Sequence, residues 1–288
     1  MTRGFTEYGR LEHVVLKHAR DAFDPAIIEE QWRPLNYAAA PDRARAIDQY
    51  EQLADLIRST GAEVSFQARD EKTGLDSIYV RDASIVSPGG MIMGCMGKAL
   101  RATEPAAQER EFRRLGIPIA GAIGEPGRLE GGDLVWLDPN TVAVGEGYRS
   151  NAEGIRQLRL MLDGTIDVIA VPLPHWRGPG DVLHLMSLIS PVDRDLAVVY
   201  SPLMPVPFRT LLLERGYALI DVPDEEFESM ATNVLALDAR RCVMLSGNRH
   251  TRSALEAAGA EVLEYDGSEI SVKGAGGPTC LTRPVRRA

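Results

Sequence analysis

The chain has 288 residues, with 32 Lys and Arg against 41 Asp and Glu, a formal net charge of −9, and 44% hydrophobic and 6% aromatic residues. That balance is ordinary for a globular protein with a substantial core, as one large domain or two smaller ones, and it lacks the clustered basic face that nucleic acid requires. No apolar run approaches the ~18 residues that span a bilayer, and the stretch from Met1 to Arg10, with Arg3, Glu7 and Arg10 and no apolar centre, reads as neither a signal nor a transit segment.

In chain order, one phrase recurs: a helical stretch, a glycine, then a short β-type run. Ile47, Tyr50, Leu53, Ala54 and Ile57 share a helix face, and Gly61 follows, before Ala62 to Phe66. A strand pair, Ser77 to Val86 with Met91 to Gly94, precedes Phe112 to Leu115, Gly116 and Ile117 to Ala120. A second pair, Leu134 to Leu137 with Thr141 to Gly145, leads to a capping box at Ser150-Asn151-Ala152-Glu153. That helix runs to Leu160 to Asp163, then Gly164 and Ile166 to Val171. The phrase returns as Leu211 to Arg215, Gly216 and Tyr217 to Val222, and as Leu255 to Ala258, Gly259 and Ala260 to Tyr265.

The glycines stand at intervals of roughly 43 to 55 residues, the size of a supersecondary unit, and suit a left-handed residue ending each helix. The unit is strand, strand, helix, strand, five times over. It predicts an α/β fold in which five small blades close into a ring around a central channel, as a single domain over residues 1–288. A doubly wound parallel sheet is the alternative, but no glycine-rich phosphate turn follows an early strand.

Cys95, Cys242 and Cys280 are odd in number and far apart, which argues against a disulfide framework and for reduced thiols in a cytoplasmic protein. No closely spaced Cys or His pair suggests zinc, so neither metal nor cofactor is expected. Cys95, between Gly94 and Met96, and Cys242, leading Val243-Met244-Leu245, read as small buried hydrophobes. Cys280 differs because Gly274-Ala275-Gly276-Gly277-Pro278-Thr279 precedes it, a loop whose backbone could approach a ligand closely. His184 sits in the apolar, strand-like run Asp181 to Ser187, where an ionisable ring is either a satisfied core histidine or a functional one. Alternation over Asp76 to Asp82 places Asp76, Ile78, Val80 and Asp82 on one strand face. Glu130 opens the turn Glu130-Gly131-Gly132-Asp133. A carboxylate among apolar residues needs a cation, either a structural Arg or a substrate guanidinium.

Together, Asp76 to Asp82, Glu130 to Asp133, Arg149-Ser150-Asn151 with Gly154, Leu183 to Ser187, and Ser268-Glu269-Ile270-Ser271 followed by Gly276 to Cys280 resemble the guanidino-group-modifying (pentein) superfamily. It holds dimethylarginine dimethylaminohydrolases, arginine deiminases and amidinotransferases. The resemblance implies Cys280 as nucleophile and His184 as general acid and base. It implies Asp82 and Glu130 on the guanidinium, Asp76 on the substrate α-ammonium, and Arg101 and Arg149 on its carboxylate. The partner implied is a small guanidino compound; a homodimer is left open. Deiminases carry an acid two positions after the histidine, where this chain has Met186, and an apolar neighbour suits a methylated nitrogen. Where the bacterial dimethylargininase motif has an acid, this chain has Arg81, which alternation points away from Asp82 as a structural ion pair. The resemblance thus implies hydrolysis of a methylated arginine to citrulline and an alkylamine. Deimination, double hydrolysis and amidino transfer share the intermediate, while a ribosome-binding module of the same architecture would have no use for Cys280, His184, Asp82 and Glu130 together.

Overall fold

The computed structural model describes residues 5–162, 164–181 and 183–288; Asp163 and Val182, which belong to two of the runs above, and the segment 1–4 with Arg3 lie outside them. Gly61, Gly116, Gly216 and Gly259 each end a helix with φ between 69° and 85°, the left-handed conformation their spacing anticipates. Each releases the chain into the third strand of a blade.

Five three-stranded sheets result. The closing blade holds β1 (Leu11–Leu16) and β2 (Glu63–Phe66); the next holds β3 (Ser84–Ser87), β4 (Gly90–Met93) and β5 (Ile119–Ala122). Then come β6 (Leu134–Asp138), β7 (Thr141–Glu146) and β8 (Asp167–Pro172), followed by β9 (Ile189–Asp193), β10 (Leu196–Val199) and β11 (Ala218–Asp221). The last set is β12 (Leu235–Asp238), β13 (Arg241–Leu245) and β14 (Glu261–Tyr265), after which β15 (Thr282–Arg287) returns to β1. In every blade the first pair is antiparallel and the second parallel, with a helix as the crossover. The closing blade is built from both ends of the chain: β15 pairs antiparallel with β1, Val14 opposite Pro284, and β1 runs parallel to β2. That pairing leaves no long exposed sheet edge at the join.

The crossover helices bury one face each. Helix Arg43–Arg58 is capped by Asp42, whose side chain accepts from Ala44 and Arg45 N, and it buries Tyr50, Leu53, Ala54 and Ile57. Helix Ala152–Met161 buries Ile155 and Leu158 against Val142, Val144 and Trp136 of its own sheet. Its cap is not the expected box. Asn151 accepts from Gly154 N at 2.9 Å, while Glu153 turns to Arg156 and Ser150 turns inward. Two further expectations change. Residues 75–78 form a 3-10 turn and the strand begins only at Ser84, so Asp76 and Asp82 do not share a strand face. His184 likewise caps a 3-10 turn, Leu185–Ser187, ahead of β9, and is not in a strand. Among the described residues no helix is long and apolar enough to cross a membrane.

The corrected cap is open to measurement. Asn151→Ala should lower stability by about 1 kcal/mol in chemical denaturation, whereas Glu153→Ala, which removes the acceptor a capping box needs, should cost only a small fraction of that, the worth of an exposed ion pair. A larger loss at Glu153 than at Asn151 would restore the capping box.

Candidate active site

Each blade sends one polar residue inward from the segment entering its first strand: Asp82 before β3, Glu130 before β6, His184 before β9, Asn233 before β12 and Cys280 before β15. Pseudo-fivefold repetition thereby converts five distant sequence positions into one cluster.

His184 is the hub. Its Nε2 lies 2.7 Å from Glu130 Oε2 and its Nδ1 lies 3.7 Å from Asp82 Oδ1, with the ring only 4% exposed. Burial opposes charge on the imidazole, but Asp82, then Asp133 and Glu130, outweigh it and push its pKa up to about 9. Burial alone would favour a protonated Glu130; the hydrogen bond and charge of His184 instead pull that carboxyl down to about 2. Glu130 Oε1 accepts from Gly97 N at 2.8 Å. Gly132 gives this cluster its clearance, since a Cβ there would stand 2.5 Å from His184 Nδ1 and 2.7 Å from Asp82 Oδ1.

Behind the pair stands Asp133, fully buried. It accepts from Ser150 Oγ at 2.6 Å and Leu185 N at 3.0 Å, and Ser150 Oγ accepts in turn from Glu130 N. One carboxylate thus anchors the backbones that carry both His184 and Glu130. Burial pushes its own pKa up to about 6.

Cys280 is placed by Asn233, whose role the sequence reading missed. Asn233 Oδ1 accepts from Thr279 N at 2.9 Å and Thr279 Oγ1 at 2.8 Å, and its Nδ2 reaches Cys280 Sγ at 3.3 Å. The glycines of the loop serve this packing, not a ligand: a Cβ on Gly277 would stand 2.5 Å from Asn233 Cγ, and Gly276 lies against the Tyr79 ring. Burial raises the thiol pKa and the charge of Asp82 adds to it. Cys242 is the inert contrast, buried and pushed up to about 12. Asn233 was detectable in principle, because it occupies in its blade the place of Asp82 and Cys280 in theirs.

The expected binders of the substrate tail are arranged differently from the sequence expectation. Arg101, expected on a substrate carboxylate, has its fork on Glu104, with Nε and Nη2 at 2.9 and 2.8 Å, and its Nη1 2.6 Å from Asp82 Oδ2. Nη2 also donates to Tyr79 O, so the guanidinium is committed to holding Asp82. Asp76 meets Lys98 Nζ at 3.0 Å. Arg149 fits the expectation better: it is 4% exposed, its Nε has no partner, and it borders a cavity of about 240 Å³ lined also by Tyr148, His175 and Trp176. Arg81 does turn away from Asp82, to Glu7 and Thr279 O. Met186 packs in an apolar cluster with Val135, Leu137 and Leu185.

Asp82, Glu130 and His184 offer ligand atoms within 4.8 Å of one another. His184 Nε2 is taken by Glu130 and the positive charge of Arg101 lies on Asp82 Oδ2, so a metal ion would have to displace the imidazole from Glu130 and sit beside a guanidinium. The set fits acid–base chemistry on a cationic substrate better than it fits a metal.

A family model described as N,N dimethylarginine dimethylhydrolase, eukaryotic, matches residues 25–287. An N(G),N(G)-dimethylarginine dimethylaminohydrolase of Streptomyces coelicolor is 29% identical over 246 residues, 85% of this chain and 88% of that one. The fold is shared with DDAH from Pseudomonas aeruginosa, a cysteine-to-serine variant complexed with citrulline, at a TM-score of 0.77 and 22% identity, covering 95% of this chain and 98% of that one. It is also shared with the substrate-bound N-terminal domain of ArgZ, an arginine dihydrolase of cyanobacteria, at a TM-score of 0.82 and 18% identity over 96% and 98% of the two chains.

Proposed function

Because the chain belongs to the family described as N,N dimethylarginine dimethylhydrolase, eukaryotic, we propose that it hydrolyses an N-ω-methylated guanidinium through a thiouronium on Cys280. An alkylamine leaves, and the ureido product is citrulline when the substrate is a methylated arginine. The observation that carries this reading is Asp82 Oδ1, a buried carboxylate oxygen without a hydrogen-bond donor, 3.7 Å from His184 Nδ1. A planar guanidinium supplies the missing donor and brings its nitrogen to the imidazole.

A guanidinium is a poor electrophile, so its plane has to be fixed before a thiolate can add to the central carbon. In this mechanism Asp82 fixes it, and the Cys280 sulfur forms a bond to that carbon. Glu130 holds His184 through Nε2, leaving Nδ1 to give its proton to the substituted nitrogen as the C–N bond breaks. The neutral imidazole then takes a proton from water, the resulting hydroxide adds to the thiouronium carbon, and the C–S bond breaks to return the thiolate as the hydroxyl proton passes to solvent and leaves the ureido C=O. Substrate also prepares its own nucleophile: its positive charge on Asp82 cancels one of the two causes that keep the thiol protonated.

The rate needs Cys280 deprotonated and His184 protonated. Since the thiol is raised and His184 titrates at about 9, kcat/KM should climb with pH through neutrality and fall only above about 9. A pH profile that peaks near 6 would contradict these assignments.

Substrate choice rests on the family resemblance: two positions after His184, where deiminases carry an acid, stands Met186, held in the apolar cluster with Val135 and Leu137. Unsubstituted arginine then lacks that charged partner, a loss on the order of 1 to 3 kcal/mol, or roughly tenfold to hundredfold in favour of a methylated nitrogen. Incubation with arginine, methylated arginines and agmatine, with mass-spectrometric identification of every product, should show alkylamine release as the fastest reaction. Faster turnover of arginine than of its methylated forms would replace this reading with a deiminase or dihydrolase.

A further inference from the structure

The short stretch from Gly97 to Arg101 touches three acids of the site, Glu130, Asp76 and Asp82. Gly97 N donates to Glu130, Lys98 Nζ sits 3.0 Å from Asp76 Oδ2, and Arg101 Nη1 sits 2.6 Å from Asp82 Oδ2. Lys98 also donates to Leu35 O at 3.2 Å, and its side chain is 15% exposed, so the ammonium is held in the wall of the site. Gly97 rests directly on Arg149, because a Cβ at position 97 would stand 3.0 Å from Arg149 Cα.

The pairing of charges then limits what a substrate can be. Lys98 occupies Asp76, Arg101 occupies Glu104 and Asp82 Oδ2, and His184 occupies Glu130. Asp181, at the rim, stands 4.0 Å from Arg177. Asp82 Oδ1 is buried without a hydrogen-bond donor, 3.7 Å from His184 Nδ1, and Arg149 Nε is buried without an acceptor while its Nη2 donates to Asp181 O at 3.4 Å. Asp82 Oδ1 and Arg149 Nε match a guanidinium at one end of a molecule and a carboxylate at the other. An α-ammonium would have to displace Lys98 from Asp76 and lie beside a charge of its own sign.

We infer that Lys98 is the specificity-determining residue of the tail end of the site, and that the site takes ω-guanidino carboxylic acids without an α-amino group in preference to the α-amino acids of the same length. The inference rests on the head-group reading above in one respect, that the guanidinium lies on Asp82. Lys98 stays on Asp76 when such an acid binds, and the substrate carboxylate meets Arg149.

Binding and turnover test it separately. Calorimetry on Cys280→Ser protein compares two unreactive ureido ligands, citrulline and 5-ureidopentanoate. Methylamine release from native protein compares N-ω-methylarginine with 5-(N′-methylguanidino)pentanoate. The compound without the amino group should be favoured about tenfold or more in each pair, the scale of one charge-assisted hydrogen bond. Lys98→Met and, independently, Lys98→Ala should erase or reverse that preference. Citrulline binding as well as 5-ureidopentanoate, with the ratio unmoved in both variants, overturns the inference, and so does failure of both ligands to bind. Binding preference without methylamine release from either guanidino compound would sink the proposed chemistry and leave the role of Lys98 standing.

Discussion

The 2.7 Å contact between His184 Nε2 and Glu130 Oε2 is the constraint on which the rest of the site depends. Three carboxylates, Asp82, Glu130 and Asp133, are buried within the field of one imidazole. An isolated buried charge is costly, and removing one partner of such a pair typically costs about 3 to 5 kcal/mol. His184 therefore stays charged against its burial, and Glu130 stays ionised against its own. Arg101 completes the balance by neutralising Asp82 from behind. What remains without a hydrogen-bond donor is one oxygen of Asp82, the place proposed above for a cationic substrate.

The ring exists to make that balance possible. None of the five inward residues is near another in sequence, so only closure of the blades brings them together, and closure is made by β15 on β1. Cys280 sits two residues before β15, next to the strand that completes the ring. Asn233 then ties the thiol to the neighbouring blade through Thr279. Cys280 is thus positioned beside the contact that closes the ring, while Asp133 and Ser150 tie His184 and Glu130 together across two adjacent blades.

Much of this was legible in the sequence because it is local. The helix-ending glycines mark the step from crossover helix to third strand within a blade, since a left-handed residue after a helix is a backbone requirement that few residues meet. Cys280, His184, Glu130 and Asp82 stood out as polar groups in apolar or glycine-rich settings. What failed was local alternation over Asp76 to Asp82. There the carbonyls of Asp76 and Tyr79 accept from Arg101, a tertiary contact that holds the chain in a turn and that no periodicity reports. The capping box failed for a similar reason: Ser150 has the right chemistry for a cap, but Asp133 and Glu130 recruit its hydroxyl, and Asn151 takes the helix. Lys98 and Asn233 were missed because their importance lies in partners 22 and 47 residues away. The resemblance implies Arg101 on a substrate carboxylate, whereas the fold sets its guanidinium on Glu104 and Asp82.

In the proposed chemistry Cys280 carries the substrate carbon between two half-reactions, with His184 serving both. His184→Gln protein mixed with an N-ω-methylated guanidino substrate, quenched with acid on the millisecond to second scale and digested for mass spectrometry, should yield the peptide containing Cys280 with the mass of a thiouronium adduct. The adduct should accumulate because water attack is the step that most needs the imidazole. Ureido product formed by the native protein with no adduct on that peptide at any quench time, in the native protein or the variant, would contradict covalent catalysis by Cys280.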